Sequence, residues 1–276
     1  MRDLSQDRSL IAINSATVKP WSLEQLIEGC VRAGITAIAP WRDIVQTAGV
    51  EKAGNMIRAA GLTVTCLCRA GLFPAADEAG RRAALDDNRR AVDEAAAIGA
   101  RSLVMIAGGL PKGSKDIAGA WRQVHDGLAA LLPYARANGV PLAVEPLHPM
   151  YAADRACVNT LAHANDLCDQ LGDGVGVAVD VYHVWWDPDL AAQIARAGKR
   201  ILTYHVCDWL VPTRDLLLDR GMPGDGVIDL RAIRAMVEAT GYNGHIDVEI
   251  FSAQNWWKRE PSEVLRICQE RHRTVV

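Results

Sequence analysis

The chain has 276 residues, half of them apolar, which is enough to bury a large core. With 30 Lys and Arg against 33 Asp and Glu, and no basic run, the charge pattern predicts no nucleic-acid partner. The N-terminus is polar and no apolar stretch approaches 18 residues. We therefore expect no signal peptide, no membrane partner and a cytoplasmic protein.

The seven cysteines are scattered, and several lie in apolar segments. Cys66 and Cys68 form a CxC pair on a predicted strand, where both side chains share one face. The sequence shows no partners for a redox or zinc role. We therefore expect buried free thiols.

Short β-branched segments alternate with longer Ala-rich amphipathic segments eight times along the chain. The pattern predicts strands over 9–18, 35–41, 62–70, 101–108, 141–147, 175–183, 201–207 and 245–251. It predicts helices over 22–33, 50–60, 78–98, 116–138, 160–171, 189–197, 229–240 and 261–273. The nearly continuous apolar strands are typical of a parallel sheet buried on both faces.

Eight strand–helix units in this length favour a closed (β/α)₈ TIM barrel over a doubly wound sheet. No Pro/Ser-rich linker divides the chain, so residues 1–276 are expected to form a single barrel domain. Glycines at helix ends support the helix boundaries, namely Gly34, Gly61, Gly99, Gly139, Gly172, Gly198 and Gly241. N-caps are predicted at Ser22, Ser114, Thr160 and Ser262.

Four successive predicted strands, the fifth to the eighth, interrupt their apolar runs near the C-terminal end with a metal-binding residue type. These residues are Glu145, Asp180, His205 and Glu249. Burying an ionised carboxylate costs several kcal/mol unless a partner charge is present. The strand ends of a barrel converge on one mouth, so one divalent cation could satisfy all four residues. The competing interpretation is four separately satisfied core polar groups or salt bridges.

The motifs AVEP, VAVDVYH, YHVCD and DVEIF, which carry these residues, resemble the xylose-isomerase-like TIM-barrel superfamily of sugar isomerases and epimerases. That superfamily also includes the type IV apurinic endonucleases. The resemblance implies that Glu145, Asp180, His205 and Glu249 bind one divalent ion. Mostly hard ligands favour Mn²⁺, the first expectation, or Mg²⁺, with Co²⁺ and Zn²⁺ as alternatives.

The resemblance also implies substrate-binding residues. His183 falls where the family places a substrate-facing histidine, and Arg220 opens RGMPGDG, which is similar to an arginine-glycine loop that contacts substrate oxygens. His148 either contacts substrate or caps the rim of the barrel. Among six tryptophans at or beyond strand ends, one or two are expected to line the pocket, and the rest to pack between loops or at a subunit contact.

By resemblance to the ketose epimerases, Glu145 and Glu249 would transfer protons while the metal ion stabilises an enediolate. The ketose 3-epimerases usually carry another glutamate six residues after the strand-5 ligand, where this chain has Tyr151. This difference argues against a simple ketose 3-epimerase.

The sequence therefore predicts a metal-dependent isomerase or epimerase of a small sugar or sugar derivative, expected as a homo-oligomer. A dehydratase or carbon–carbon lyase acting on a keto-sugar or keto-inositol begins with the same proton abstraction and stays open. An apurinic endonuclease is disfavoured, since it needs histidines after strands 3 and 4, where this chain has Cys68-Arg69-Ala70 and Ala107-Gly108-Gly109. A non-catalytic sugar-binding protein is disfavoured by the complete ligand set.

Overall fold

The centre of the molecule is a sheet of parallel strands, seen in a computed structural model that describes residues 1–7 and 9–276. The third strand is split into two segments, so the sheet has nine segments for eight barrel positions. The strands are β1 (Ile11–Asn14), β2 (Ala37–Ala39), β3 (Thr63–Val64 and Leu67–Gly71), β4 (Leu103–Ile106), β5 (Leu142–Glu145), β6 (Val175–Asp180), β7 (Ile201–Val206) and β8 (Ile246–Val248).

The sheet curls into a barrel because β1 pairs in parallel with both β2 and β8. The first segment of β3 pairs with β2, and its second segment pairs with β4. Backbone hydrogen bonds join the two sides across the split, with the N–H of Leu67 donating to Ser102 and that of Cys68 donating to Pro40, each at 3.0 Å. The predicted (β/α)₈ barrel is confirmed.

Ten helices are present in the described part of the chain, and they include all eight that the sequence predicts. They are α1 (Leu23–Ala33), α2 (Arg42–Ala48), α3 (Val50–Ala59), α4 (Glu78–Ile98), α5 (Ile117–Ala137), α6 (Leu161–Leu171), α7 (Val181–Val184), α8 (Leu190–Ala197), α9 (Leu230–Ala239) and α10 (Pro261–Thr274). The short helices α2 and α7 were not predicted. Helix α7 corrects the predicted strand 175–183, because the side chain of Asp180 accepts a hydrogen bond from the N–H of Tyr182 and turns the chain.

Most of the predicted helix boundaries hold. Ser22 forms a capping box with Gln25, Thr160 caps α6, and all seven helix-end glycines have positive φ. Two predicted N-caps are wrong. Asp116 caps α5 in place of Ser114, because its carboxylate accepts from the N–H of Gly119 at 2.7 Å. Helix α10 begins at Pro261, before Ser262, since a proline needs no partner for a backbone N–H at the first helical position.

The core is formed by apolar side chains of the strands and of the helices around them. All seven cysteines are buried and free, as predicted. Within residues 1–7 and 9–276, no helix combines the length and the apolar character needed to cross a bilayer.

The end of β3 is held by a close backbone approach at Gly71. Its N–H donates to Oδ1 of the buried Asn88 at 2.6 Å, and its φ is 106°. A Cβ atom at this position would lie 2.0 Å from the carbonyl oxygen of Ile106. The backbone of β4 therefore leaves no space for any other residue at position 71.

We predict that Gly71→Ala lowers the free energy of unfolding by more than about 4 kcal/mol or prevents folding, because the backbone of β4 must move. The matched control is Gly139→Ala. It has the same positive sign of φ, at 67°, but no atom within 4 Å of the added Cβ. The control should cost only about 1–2 kcal/mol. Equal losses in urea unfolding would show that backbone conformation, and not the close approach, decides the effect.

Candidate metal centre and active-site cavity

Four side chains converge at the C-terminal ends of β5 to β8. Glu145 and Asp180 are the last residues of their strands, His205 is the last but one residue of β7, and Glu249 follows β8 directly. One ligand atom from each residue can be chosen so that all four lie within 4.8 Å of one another. The parallel register causes this convergence, since Asp180 lies beside His205.

The chemistry of this group fits a divalent cation. Oε1 of Glu145 and Nδ1 of His205 are buried, and neither makes a hydrogen bond to any residue that the structure describes. His205 Nδ1 lies 3.4 Å from Glu145 Oε1 and 3.6 Å from Glu249 Oε2. Three carboxylates and an imidazole with lone pairs directed at one point are the donors that Mn²⁺, Mg²⁺ or Zn²⁺ takes.

Burial and mutual charge shift the pKa values of these groups. Burial raises the pKa of Glu145 to about 7. Burial also acts to raise the pKa of Glu249, but the nearby His205 and Arg220 together lower it. Burial thus decides the direction at Glu145, and the neighbours His205 and Arg220 decide it at Glu249; a bound cation would add positive charge beside both glutamates.

Arg220 is the counter-charge that the protein itself supplies. Its Nη1 lies 3.0 Å from Asp180 Oδ2 and 3.5 Å from Glu249 Oε2. The guanidinium also lies over the ring of Tyr182, 4.2 Å from its centroid. Arg220 belongs to a two-residue strand, Arg220–Gly221, that pairs antiparallel with Asp208–Trp209 above the barrel.

Asp208 holds the loop that carries Arg220. Its carboxylate accepts hydrogen bonds from the N–H groups of Gly224 at 2.9 Å and Ile228 at 3.0 Å. The glycine-rich segment after Arg220 is thus tied to the end of β7.

His183 lies on α7 beside Arg220, with its Nε2 3.2 Å from Nη2 of the arginine. Burial lowers its pKa to about 3, so the ring is neutral at physiological pH. Its Nδ1 accepts a hydrogen bond from the backbone N–H of His148 at 3.1 Å. The bond from His148 requires a lone pair on Nδ1, whereas the contact with the arginine, which can only donate, requires one on Nε2, so a neutral ring with one proton satisfies one of the two contacts; Nε2 also lies 3.6 Å from Asp180 Oδ2.

His148 lies behind His183. Its imidazole accepts from the N–H of Met150 at 3.3 Å and stacks on Trp209 with ring centroids 4.9 Å apart. It is half-buried and does not line the cavity described below. Substrate contact by His148 therefore stays a prediction, and the geometry shows a residue that supports the position of His183.

A cavity of about 480 Å³ opens above the four converging residues. Glu145 and Glu249 line it, whereas Asp180 and His205 are fully buried and do not. The other lining residues are Trp41, Cys68, Arg69, Leu72, Val104, Ile106, Leu147, Tyr151, Asp154, Arg155, His183, Leu217, Arg220 and Phe251. A cavity of this volume, lined by both apolar and charged side chains, is typical of a site for a small molecule.

Two residues donate hydrogen bonds to Glu249, and one of them, Asn14, was missed in the sequence. Asn14, at the end of β1, donates from Nδ2 to Glu249 Oε1 at 2.8 Å, and Trp41 donates from Nε1 to the same oxygen at 3.3 Å. Asn14 could have been found, since it is also a polar residue at the end of an apolar strand. Among the tryptophans that the structure describes, Trp41 is the one that lines the cavity, which agrees with the expectation that most pack elsewhere.

Asp247 forms a second layer behind His205. It is fully buried, accepts from Thr65 Oγ1 at 2.9 Å and Thr203 Oγ1 at 3.0 Å, and lies 3.6 Å from His205 Nε2. Cys66 Sγ, for which the sequence showed no partner, lies 3.6 Å from the same nitrogen. One nitrogen of His205 thus faces the glutamates and the other faces Asp247. A carboxylate behind a metal-binding histidine fixes its orientation and tautomer.

Fold and site together define a (β/α)₈ barrel with a carboxylate–histidine cluster at the C-terminal strand ends. The model of the xylose isomerase-like TIM barrel family matches residues 27–268. The chain belongs to this family.

Individual relatives cover the chain to different extents. Protein SMc04130 from Sinorhizobium meliloti 1021 is 61% identical, with a TM-score of 0.96, over 98% of this chain and 99% of that chain. An inosose isomerase of Bacillus velezensis is 30% identical over 158 residues, which are 54% of this chain and 53% of the relative. The chain therefore spans about half the length of that relative. The IolI protein, in a crystal structure with a bound zinc atom, shares the fold at 21% identity and a TM-score of 0.84, over 96% of this chain and 97% of that chain.

We predict that the purified chain, equilibrated with Mn²⁺ and passed through a desalting column, keeps about one ion per chain. Glu145→Ala or Glu249→Ala should abolish this binding, since each removes one of four ligands. Elemental analysis measures the ion directly. Glu28→Ala, which removes an exposed carboxylate on α1, is the control and should keep the ion. Full occupancy after replacing all four residues by alanine would refute the site.

Asp247→Asn tests the second layer. Loss of the carboxylate should weaken Mn²⁺ affinity roughly 10–100-fold, because His205 loses the group that orients it. Calorimetric titration gives the affinity. Thr203→Val removes one hydrogen bond to Asp247 and keeps the carboxylate, so it should have a smaller effect. Unchanged affinity in Asp247→Asn would mean that this carboxylate serves only packing.

Proposed function

We propose that this chain is a metal-dependent isomerase or epimerase that moves a proton at the carbon beside the carbonyl group of a sugar or sugar derivative. The observation that carries the proposal is the division of the four converging residues. Two glutamates line the cavity, while Asp180 and His205 are buried out of reach of a substrate. Membership of the xylose isomerase-like family and a relative named inosose isomerase support it.

Glu145, Asp180, His205 and Glu249 would hold one divalent ion. When bound, this ion supplies a Lewis acid for the carbonyl oxygen and stabilises negative charge that develops there. The ligand types make Mn²⁺ the first candidate, and the zinc atom in the IolI structure supports Zn²⁺ as an alternative. Under this proposal the ion is a resident cofactor.

Glu145 and Glu249 are the proton carriers in this proposal. They stand at the ends of β5 and β8, so the ends of β6 and β7 separate them around the barrel mouth. A planar intermediate bound between them would present one face to each carboxylate, which suits removal of a proton on one side and its return on the other. Asn14 and Trp41 hold one oxygen of Glu249, which leaves the other oxygen directed at Arg220 and the centre of the group.

Arg220 and His183 would bind the substrate's oxygens. Arg220 brings a fixed positive charge to the cavity wall, and His183 places a neutral imidazole beside it. Preorganised donors of this kind stabilise negative charge on oxygen without rearrangement during the reaction. Arg220 lies over the ring of Tyr182 and donates to Asp180, and His183 accepts from the backbone N–H of His148. These contacts fix both side chains before substrate arrives.

Reaction in D₂O tests the proton transfer. A keto-inositol and a set of ketoses, incubated with the metal-loaded chain, should gain solvent deuterium at the carbon beside the carbonyl group. For a given epimer, one of the two variants Glu145→Gln and Glu249→Gln should lose exchange by about 100-fold or more, since its amide cannot accept the proton. NMR or mass spectrometry measures the label, and Glu28→Gln is the control.

The two glutamine variants separate the two roles. The residue that abstracts the proton of a given epimer should be required for exchange of that epimer, whereas its partner should be required only to form the other epimer. Turnover by the unmodified chain without any deuterium in the product would contradict transfer by the glutamates. The metal content of each variant, measured in the same samples, shows whether a loss comes from the ion or from the base.

A further inference from the structure

Two arginines line the cavity without a role in the metal centre. Arg69 lies in the second segment of β3, and Arg155 lies in the loop that follows β5. Arg69 is half-buried and Arg155 is exposed toward the opening. Neither is one of the metal-binding residue types by which the strand ends predict a site from the sequence.

Both guanidiniums lack a protein counter-charge. In residues 1–7 and 9–276, no carboxylate lies within 4.0 Å of either one, and neither side chain makes a hydrogen bond. Their close contacts are aromatic: Arg69 lies 5.9 Å from the ring centroid of Trp41, and Arg155 lies 5.5 Å from that of Tyr151. Asp154 also lines the cavity but pairs with neither arginine. Leaving a partly buried charge without a partner is unfavourable.

Two other arginines that are at least partly buried, as Arg69 is, are paired. Arg42 binds Glu94 at 2.6 Å and Asp87 at 2.9 Å, and Arg220 binds Asp180. The two unpaired guanidiniums are also close enough to affect each other, since burial and then the charge of Arg155 lower the pKa of Arg69. Two like charges that face one cavity favour an anion between them.

One aromatic side chain links each arginine to a residue of the proposed active site. Trp41 touches Arg69 with its ring and donates from Nε1 to Glu249. Tyr151 touches Arg155, and its ring centroid is 6.1 Å from that of His183. A single ligand can therefore reach Glu249 and His183 with one end and the arginines with the other.

Charge balance points to the same end of the cavity. A divalent ion together with Arg220 would match the three carboxylates Glu145, Asp180 and Glu249. Arg69 and Arg155 then remain, with Asp154 as the other charged residue of the lining. The cavity would thus be neutral at the metal centre and positive at the arginines.

We propose that Arg69 and Arg155 form a subsite for an anionic group of the substrate, so that the chain acts on an acidic keto-sugar. The anionic group is a carboxylate or a phosphate ester, both of which guanidinium binds through paired hydrogen bonds. This inference rests on the proposed proton exchange for its choice of substrate, but the subsite itself can be tested by binding alone.

Substrate preference is the first test. The metal-loaded chain is offered three matched compounds in D₂O: a neutral ketohexose, its counterpart with a terminal carboxylate, and its terminal phosphate ester. We expect at least one anionic compound to exchange with kcat/KM roughly tenfold or more above the neutral one, as two charge-assisted contacts would give. Which of the two is preferred distinguishes carboxylate from phosphate.

Variants connect the preference to the arginines. Arg69→Gln and Arg155→Gln should each reduce the ratio of anionic to neutral kcat/KM about tenfold, mainly through KM. Arg32→Gln, on the exposed face of α1, is the control and should keep the ratio. Neither cavity arginine makes an ion pair, so the melting temperatures of these variants should stay close to that of the unmodified chain.

Binding of inorganic phosphate and of acetate gives a readout that needs no turnover. Calorimetry should show that one of these anions binds the unmodified chain and binds the Arg69→Gln/Arg155→Gln double variant at least tenfold more weakly. Arginine-dependent binding without exchange on any compound would support the subsite and contradict the proposed function. Equal exchange of neutral and anionic compounds would overturn the subsite, and so would anion binding of unchanged affinity in the double variant. Neither result would contradict the proposed proton exchange.

Discussion

Three carboxylates and one imidazole packed within a few ångströms of one another, at the closed end of a cavity, are the constraint on which the rest of this structure depends. Water cannot solvate Asp180 or His205, since both are fully buried. The burial cost of such charges is repaid only by opposite charge and by hydrogen bonds. Arg220 supplies one positive charge, and the remaining excess is what makes a divalent cation the natural occupant of the site.

The surrounding layers follow from that constraint. Asn14 and Trp41 from the first two strand ends hold Glu249, and Asp247 with its two threonines holds the far side of His205. Each of these contacts reduces the freedom of a side chain that must keep one orientation under strong mutual repulsion. The barrel is suited to this task because every parallel strand brings a fixed side-chain direction to the same mouth.

The cavity is lined by Glu145 and Glu249 of the carboxylate–histidine cluster and also by the guanidiniums of Arg69 and Arg155, which make no ion pair. Under the proposals above, this arrangement would orient a substrate that has a polyhydroxy carbonyl end and an anionic end before any proton moves. Orientation matters for proton transfer, because a base acts only within hydrogen-bond reach of the carbon-bound proton. The aromatic residues Trp41 and Tyr151 separate the two regions, and they set the span between them.

Sequence alone determined the barrel and its four converging residues. Apolar strands repeat with a clear period, and a carboxylate or a histidine that interrupts such a strand can be recognised in the sequence. Sequence alone gave no role to Asp247, which shares one face of the strand with Glu249, and only the depth within the barrel places Asp247 behind His205 and Glu249 in the cavity. The position of Arg69 and Arg155 in the cavity could not be predicted from the sequence either. A charged residue on a rim is usually solvated, and whether it faces a cavity and finds a counter-charge is decided by the packing of distant segments. Tertiary structure therefore decided the second layer and the charge distribution around the site.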